Sequence, residues 1–229
     1  MSTAWQALRG HAGRVVRRVW QAQDHGELIA ALLAKVQPIR DHRLVFVETG
    51  CGDSTLALAE VARRTGALVY TCDLDKEKLE RLRERTRDPL TEVTLLAGDS
   101  LDGLAEIVSR HGRIDFALLD SAPSATHTLR EFLLLEPRFG PGSQLLVDDA
   151  ALPGARLLLG ACRKGKLIVP YLLASPFWTV TAHPRAGDSM VSAVLDAIGA
   201  RADAGYEDPS YVDLWRARFD RRLRPVPAT

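Results

Sequence analysis

The sequence predicts an α/β fold: a doubly wound, mostly parallel sheet with helices on both faces. Three observations predict it. From Leu44 to Val147, short apolar runs alternate with segments of helical length and periodicity. The first apolar run ends in the glycine-rich stretch Thr49-Gly50-Cys51-Gly52. Acidic residues accompany the ends of all five apolar runs, where open α/β sheets bind their ligands.

Residues 3–36 have helical character, with Leu28, Ile29, Leu32, Leu33 and Val36 at helical spacing and Gly10, Gly13 and Gly26 dividing the stretch. Arg9, Arg14, Arg17 and Arg18 read as a solvated helix face. Leu44–Glu48 is a continuous apolar run, the pattern of a strand buried on both faces. Ser54–Arg64 follows as a helix, Ala67–Cys72 as a second strand and Asp75–Arg87 as a charged helix. Glu92–Ala97 and Ile114–Leu119 are the third and fourth strands, each followed by a helix, Leu101–Arg110 and Ser124–Glu136, the latter ended by Pro137. Gln144–Val147 is a fifth strand, introduced by a Gly140-Pro141-Gly142 turn. Lys166–Ser175 is helical around Pro170. Phe177–His183 and Ser189–Leu195 flank Pro-Arg-Ala-Gly-Asp, which is hairpin chemistry and predicts an antiparallel finish to the sheet. Pro209–Leu223 is a final helix with Tyr211, Leu214, Trp215 and Phe219 on its apolar side. The expected organisation is an N-terminal helical segment over 1–42, one ligand-binding domain over 43–196 and a C-terminal helical extension over 197–229.

Composition narrows the function class. The 229 residues are 46% hydrophobic and 26% charged, as in ordinary globular proteins. A net charge of +1 gives no electrostatic footprint for nucleic acid. Cys51, Cys72 and Cys162 form no CxxC pair, so neither a zinc site nor a redox dithiol is expected, and a reducing cytoplasm fits. No apolar run reaches the length of a membrane span, and the N-terminus has no signal-peptide pattern.

The chemistry-bearing residues follow the strands. In Glu48-Thr49-Gly50-Cys51-Gly52-Asp53-Ser54-Thr55, the glycines permit a tight turn and close backbone approach to a ligand. A dinucleotide fingerprint would place a third glycine where Thr55 stands, and Glu48 would repel a diphosphate. A cationic ligand suits Glu48 better; the plain alternative is a strand-to-helix turn capped by Asp53 or Ser54. Asp73, 23 residues beyond Gly50, is placed to accept both hydroxyls of a ribose, with Asp75 left as the cap of the next helix. Asp99 suits the exocyclic amine of an adenine, while Ser100 either caps a helix or donates to the ring. Asp120 follows the fourth strand and Asp148-Asp149 the fifth.

In this ordered set the sequence resembles the class I S-adenosylmethionine-dependent methyltransferases. Val47-Glu48-Thr49-Gly50-Cys51-Gly52 is similar to their E-x-G-x-G motif, Asp73 to their ribose-binding acid and Gly98-Asp99-Ser100 to their adenine-side motif. Asp120 and Pro141-Gly142…Val147-Asp148-Asp149 resemble the later motifs, and the likeness covers about residues 43–195. The resemblance implies a Rossmann-like sheet of seven strands with the last antiparallel, and S-adenosylmethionine as methyl donor. It implies cofactor contacts from Glu48, Gly50, Cys51, Gly52, Ser54 and Thr55 on the first loop. Asp73 and Leu74, Asp99 and Ser100, and Asp120 complete that set.

The small-molecule O-methyltransferase branches are nearest, which implies a small-molecule hydroxyl acceptor. Their Asp-Gly-x-His pattern is absent; Asp120-Ser121-Ala122-Pro123 stands there, with His127 further along. Candidate proton acceptors are Asp148, Asp149 and His127. Metal-dependent catechol-type relatives use a similar acid trio, so Asp120, Asp148 and Asp149 could share Mg²⁺ or another divalent cation; otherwise Asp148 or Asp149 caps the next segment while Asp120 lies near the methionine moiety. The terminal segments, with Trp5, Trp20, Tyr206, Tyr211 and Trp215, are expected to cover the acceptor pocket, and the edge hairpin offers a surface for a homodimer. Rival functions are an aminopropyltransferase using decarboxylated S-adenosylmethionine, a nicotinamide oxidoreductase and a cofactor-binding regulator without turnover.

Overall fold

The computed structural model describes residues 29, 31–36, 42–85, 92–150, 163–175, 177–183 and 190–195. Seven strands form one sheet: β1 Val45–Thr49, β2 Leu68–Asp73, β3 Glu92–Ala97, β4 Ile114–Leu119, β5 Phe139–Val147, β6 Trp178–His183 and β7 Met190–Leu195. Helices α1 Asp53–Thr65, α2 Lys76–Arg85, α3 Ser100–Arg110, α4 Ala125–Leu135 and α5 Gly165–Ala174 pack on it. The strand order is β3-β2-β1-β4-β5-β7-β6. Pairings from β3 to β5 are parallel, and β7 runs antiparallel to both β5 and β6. The expected antiparallel pair thus closes the sheet, with β6 outermost.

Alternation along the strands divides the core. Val45 and Val47 of β1, Ala117 and Leu119 of β4, and Leu145 and Val147 of β5 face one layer, with Leu104 and Ile107 of α3, Phe132 and Leu135 of α4, and Ile168 and Leu172 of α5. Phe46, Phe116, Leu118 and Leu146 face the other, with Ala57, Leu58 and Ala62 of α1 and with Ile29, Leu32, Leu33 and Val36. Both faces are covered, which is why the strands read as unbroken apolar runs rather than as alternating ones. A knot of rings ties the β6 side of the sheet to its helices: Phe132 lies 5.8 Å from Trp178 and 5.5 Å from Tyr171 by ring centroid, and Phe139 5.4 Å from Trp178.

One expectation needs correction. Gly140-Pro141-Gly142 does not precede β5 but lies inside it. Ile114 pairs with Phe139 and Phe116 with Gln144, so three extra residues bulge out between the two pairs. Ser143 Oγ donates to the Ile114 carbonyl at 2.7 Å and accepts from the Gly140 amide at 3.0 Å, which lets the strand resume. Pro137 does end α4, in a short 3₁₀ turn over Glu136–Arg138.

The N-terminal helices before residue 29, the 197–229 extension, the hairpin loop, Cys162 and Trp5, Trp20, Tyr206, Tyr211 and Trp215 lie outside the described residues. Among the described residues no helix is long and apolar enough to cross a membrane.

At the amino ends of the strands, buried Asp115 joins β4 to β1. It accepts from the Val45 amide at 2.9 Å, from Arg113 Nε at 2.7 Å and from His42 Nε2 at 2.8 Å. Asp115→Ala would strand a buried amide and two side-chain donors, and should lower the urea-unfolding free energy by about 3 kcal/mol.

Candidate functional site

The strand order reverses between β1 and β4, and ligands of open α/β sheets sit at that switch, outside the carboxyl ends. There the backbone ladder runs past the strands. The Gly50 amide donates to the Cys72 carbonyl at 2.8 Å, Asp120 to Thr49 at 2.8 Å and Asp148 to Leu119 at 3.2 Å. These bonds set Asp73, Gly50, Asp120 and Asp148 in one row across four neighbouring strands. Gly50 has φ 84°, and a Cβ there would lie 2.1 Å from the Asp120 carbonyl oxygen, so no side chain is admissible. At Gly52 a Cβ would meet only Ser54 Oγ at 3.9 Å, so the outer side of this loop faces open space.

Glu48 lies beneath that loop, fully buried. Its Oε2 accepts from the Thr55 and Thr71 hydroxyls, the latter at 2.7 Å. Thr55 also accepts from the Gly52 amide at 3.0 Å, tying the loop to the acid. Oε1 is buried with no hydrogen-bond partner among the described residues. Burial pushes the carboxyl up to about 7, against hydrogen bonds from Ser54, Thr55 and Thr71 that favour the anion. An orphaned carboxyl oxygen beside an open glycine loop fits a cationic ligand, as the ammonium and sulfonium of S-adenosylmethionine would be. Burial also raises the Cys51 thiol to about 12, so it stays neutral and is no nucleophile.

Asp73 ends β2. Asp75 caps α2 as expected, accepting from the Lys78 amide at 2.9 Å. That leaves Asp73 out of the cap, and it accepts from the Asp75 amide at 2.9 Å, the Cys51 amide at 2.9 Å and Lys78 Nζ at 3.1 Å. Burial opposes its ionisation, but these bonds outweigh it and hold the carboxyl below its usual range. Asp73 is thus an anion already oriented toward the glycine loop. Leu74 beside it is 75% exposed, a large apolar side chain at the carboxyl edge that suits the face of a ring.

Asp99, not Ser100, caps α3, accepting from the Leu101 amide at 2.8 Å. Ser100 is buried, and its hydroxyl donates to Glu131 at 2.5 Å. With that proton committed, Ser100 can only accept from His127 Nε2, at 2.8 Å. Ser121 also donates to Glu131, at 2.6 Å. His127 is therefore engaged toward the β3 side of the site, by Ser100 and Glu131. Glu131 was not among the expected site residues. Its signal was its position: it shares the buried stripe of α4 with Thr128, Phe132 and Leu135.

The acid trio is placed at the other end of the row, but each of its outer members faces a protein cation. Lys164 Nζ donates to Asp120, and Arg163 to Asp149, which has φ 51°. Asp148 is buried between them in sequence, at the end of β5. Among the described residues no group of three or more His, Cys, Asp or Glu side chains could hold a metal ion. The outer members of the expected Asp120–Asp148–Asp149 trio thus carry a lysine and an arginine as their positive partners. Neither cation carried a sequence signal, because each lies far along the chain from the acid it meets.

The Glu48 carboxyl gives a stability test. Its folded-state pKa of about 7 exceeds the ordinary 4.5, so the folded protein holds a proton that the unfolded chain releases between those values. Its stabilising contribution is complete below about pH 4.5 and is lost as pH rises through about 7, by on the order of 3 kcal/mol. Urea unfolding of Glu48→Gln at pH 5 and pH 8 should show a smaller fall than the wild type by that amount.

A family profile described as a methyltransferase domain matches residues 47–150. A tRNA (guanine-N(7)-)-methyltransferase of Mycobacterium avium (strain 104) is 31% identical over 118 residues, 49% of this chain and 42% of that protein. A rhamnosyl O-methyltransferase of Mycobacterium tuberculosis (strain ATCC 25618 / H37Rv) is 29% identical over 153 residues, 63% of this chain and 56% of that protein. The chain thus spans about half the length of the curated relatives it matches. In fold, it is similar to the O-methyltransferase from Bacillus cereus solved with SAH (S-adenosylhomocysteine), with TM-score 0.55 and 19% identity over 80% of this chain and 96% of that one. A protein from Corynebacterium glutamicum gives TM-score 0.57 at 15% identity, covering 86% of this chain and 91% of that one. The profile match runs from the first-motif strand through the acids that end β5, over the same residues that build the row at the switch point. Residues 47–150 match the methyltransferase domain profile, and the chain shares the fold of the solved S-adenosylmethionine-dependent enzymes to which it is similar.

Proposed function

We propose that the protein transfers a methyl group from S-adenosylmethionine to a hydroxyl of a small-molecule acceptor, in the cytoplasm. The observation that carries this is the row at the switch point: oriented Asp73, the open Gly50–Gly52 loop over orphaned Glu48, and Asp120 with Asp148 beyond it. The rhamnosyl O-methyltransferase relative supports oxygen as the acceptor atom. Buried, free Cys51 and Cys72 accord with a reducing compartment.

The bound donor supplies an electrophilic methyl group on a sulfonium. Asp73 accepts from the ribose, Leu74 covers the ring and Asp99 faces the adenine amine. Glu48, through Thr55, fixes the loop that carries the donor and favours its positive charge. Their contribution is to fix the methyl group in line with the acceptor oxygen and to exclude water. The acceptor's proton passes to the Asp148–Asp149 pair rather than to His127, because Ser100 and Glu131 hold His127 on the adenine side.

Incubating the protein with methyl-labelled S-adenosylmethionine and cell extract, then fractionating, tests this. Label should enter the small-molecule fraction as O-methyl groups. Label confined to RNA would contradict it and favour a tRNA-type acceptor like that of the Mycobacterium avium relative. Formation of methylthioadenosine from decarboxylated donor would favour the aminopropyl rival. Binding of the donor with no transfer would favour a regulator.

A further inference from the structure

Among the described residues, Lys164 is the only buried lysine or arginine, 3% exposed, and its ammonium lies on Asp120 at the carboxyl end of β4. The next residue fixes it there. A Cβ on Gly165 would lie 1.8 Å from the Ala150 carbonyl oxygen, so the first turn of α5 presses directly on the chain leaving β5. Asp120 is equally fixed, since its own carbonyl lies against Gly50. The Lys164–Asp120 pair therefore adjoins the glycine loop on the side away from Asp73.

A donor whose ribose is at Asp73 and whose chain crosses Gly50–Gly52 ends at this pair. That end is an α-amino acid, one ammonium and one carboxylate. Lys164 and Asp120 present the complementary charges, and in the absence of a zwitterion they satisfy each other. The acids Glu48, Asp120, Asp148 and Asp149 would otherwise repel a carboxylate. We infer that Lys164 recognises the donor's carboxylate and so selects S-adenosylmethionine over its decarboxylated form. This rests on the proposed methyl donor.

Isothermal titration of S-adenosylmethionine, decarboxylated S-adenosylmethionine and 5′-methylthioadenosine tests it, on wild type, Lys164→Met and Lys164→Arg, with thermal unfolding to confirm folding. Wild type should prefer the intact donor to the decarboxylated one by about tenfold or more, the size of one charged hydrogen bond. Lys164→Met should weaken the intact donor by about that factor and leave methylthioadenosine unchanged. The decarboxylated donor, doubly cationic and no longer repelled, should bind Lys164→Met as well or better. Lys164→Arg should retain the preference. Equal weakening of all three ligands by Lys164→Met would mean that Lys164 only holds Asp120 in place, and would overturn the inference. An unchanged preference in Lys164→Met would overturn it too. Wild type that binds none of the three would overturn the donor assignment beneath it.

Discussion

The close approach of Gly50 to the Asp120 main chain is the constraint on which the site depends. It lies where the strand order reverses, and it brings the loop after β1 onto the loop after β4 with no room for a side chain. Everything that could touch a ligand is referred to that contact. Asp73 is tied to the same loop through the Cys51 amide, and Glu48 through Thr55. The sheet beneath is rigid because both its faces are packed, so the loops inherit fixed positions from strands that cannot slide without exposing apolar side chains.

Charge is distributed along the row with the same economy. The β2 end has an acid paired with Lys78 and held ionised, while the middle has a fully buried acid with one oxygen unsatisfied. The far end has acids balanced by Lys164 and Arg163. A carboxyl as deeply buried as Glu48 is costly to ionise alone, and a cationic ligand offsets that cost. Lys164 and Arg163 give the acid cluster its positive charge within the chain.

Much of this was legible in the sequence, for physical reasons. Buried parallel strands leave unbroken apolar runs, so β1 to β4 and their helices could be placed within a residue or two. β5 could not, because Gly140-Pro141-Gly142 has turn chemistry and the bulge that absorbs it depends on pairing with β4. Glycines and acids after strands marked Gly50, Asp73, Asp99, Asp120 and Asp148, since short-range pattern and strand order suffice for these. The partners were hidden. Lys164 reaches Asp120 across 44 positions and Ser100 reaches Glu131 across 31, and no local pattern encodes such contacts. His127 likewise meets Ser100 across 27 positions.

The central claim is that the switch point between β1 and β4 holds an adenosyl sulfonium donor. Titrating S-adenosylhomocysteine into the wild-type protein and into Asp73→Asn, followed calorimetrically, tests it most directly. Saturable one-to-one binding, weakened in the variant by about tenfold or more, is the result expected from losing a charged acceptor for the ribose. No binding to the wild type at millimolar ligand, or equal binding to both proteins, would contradict it.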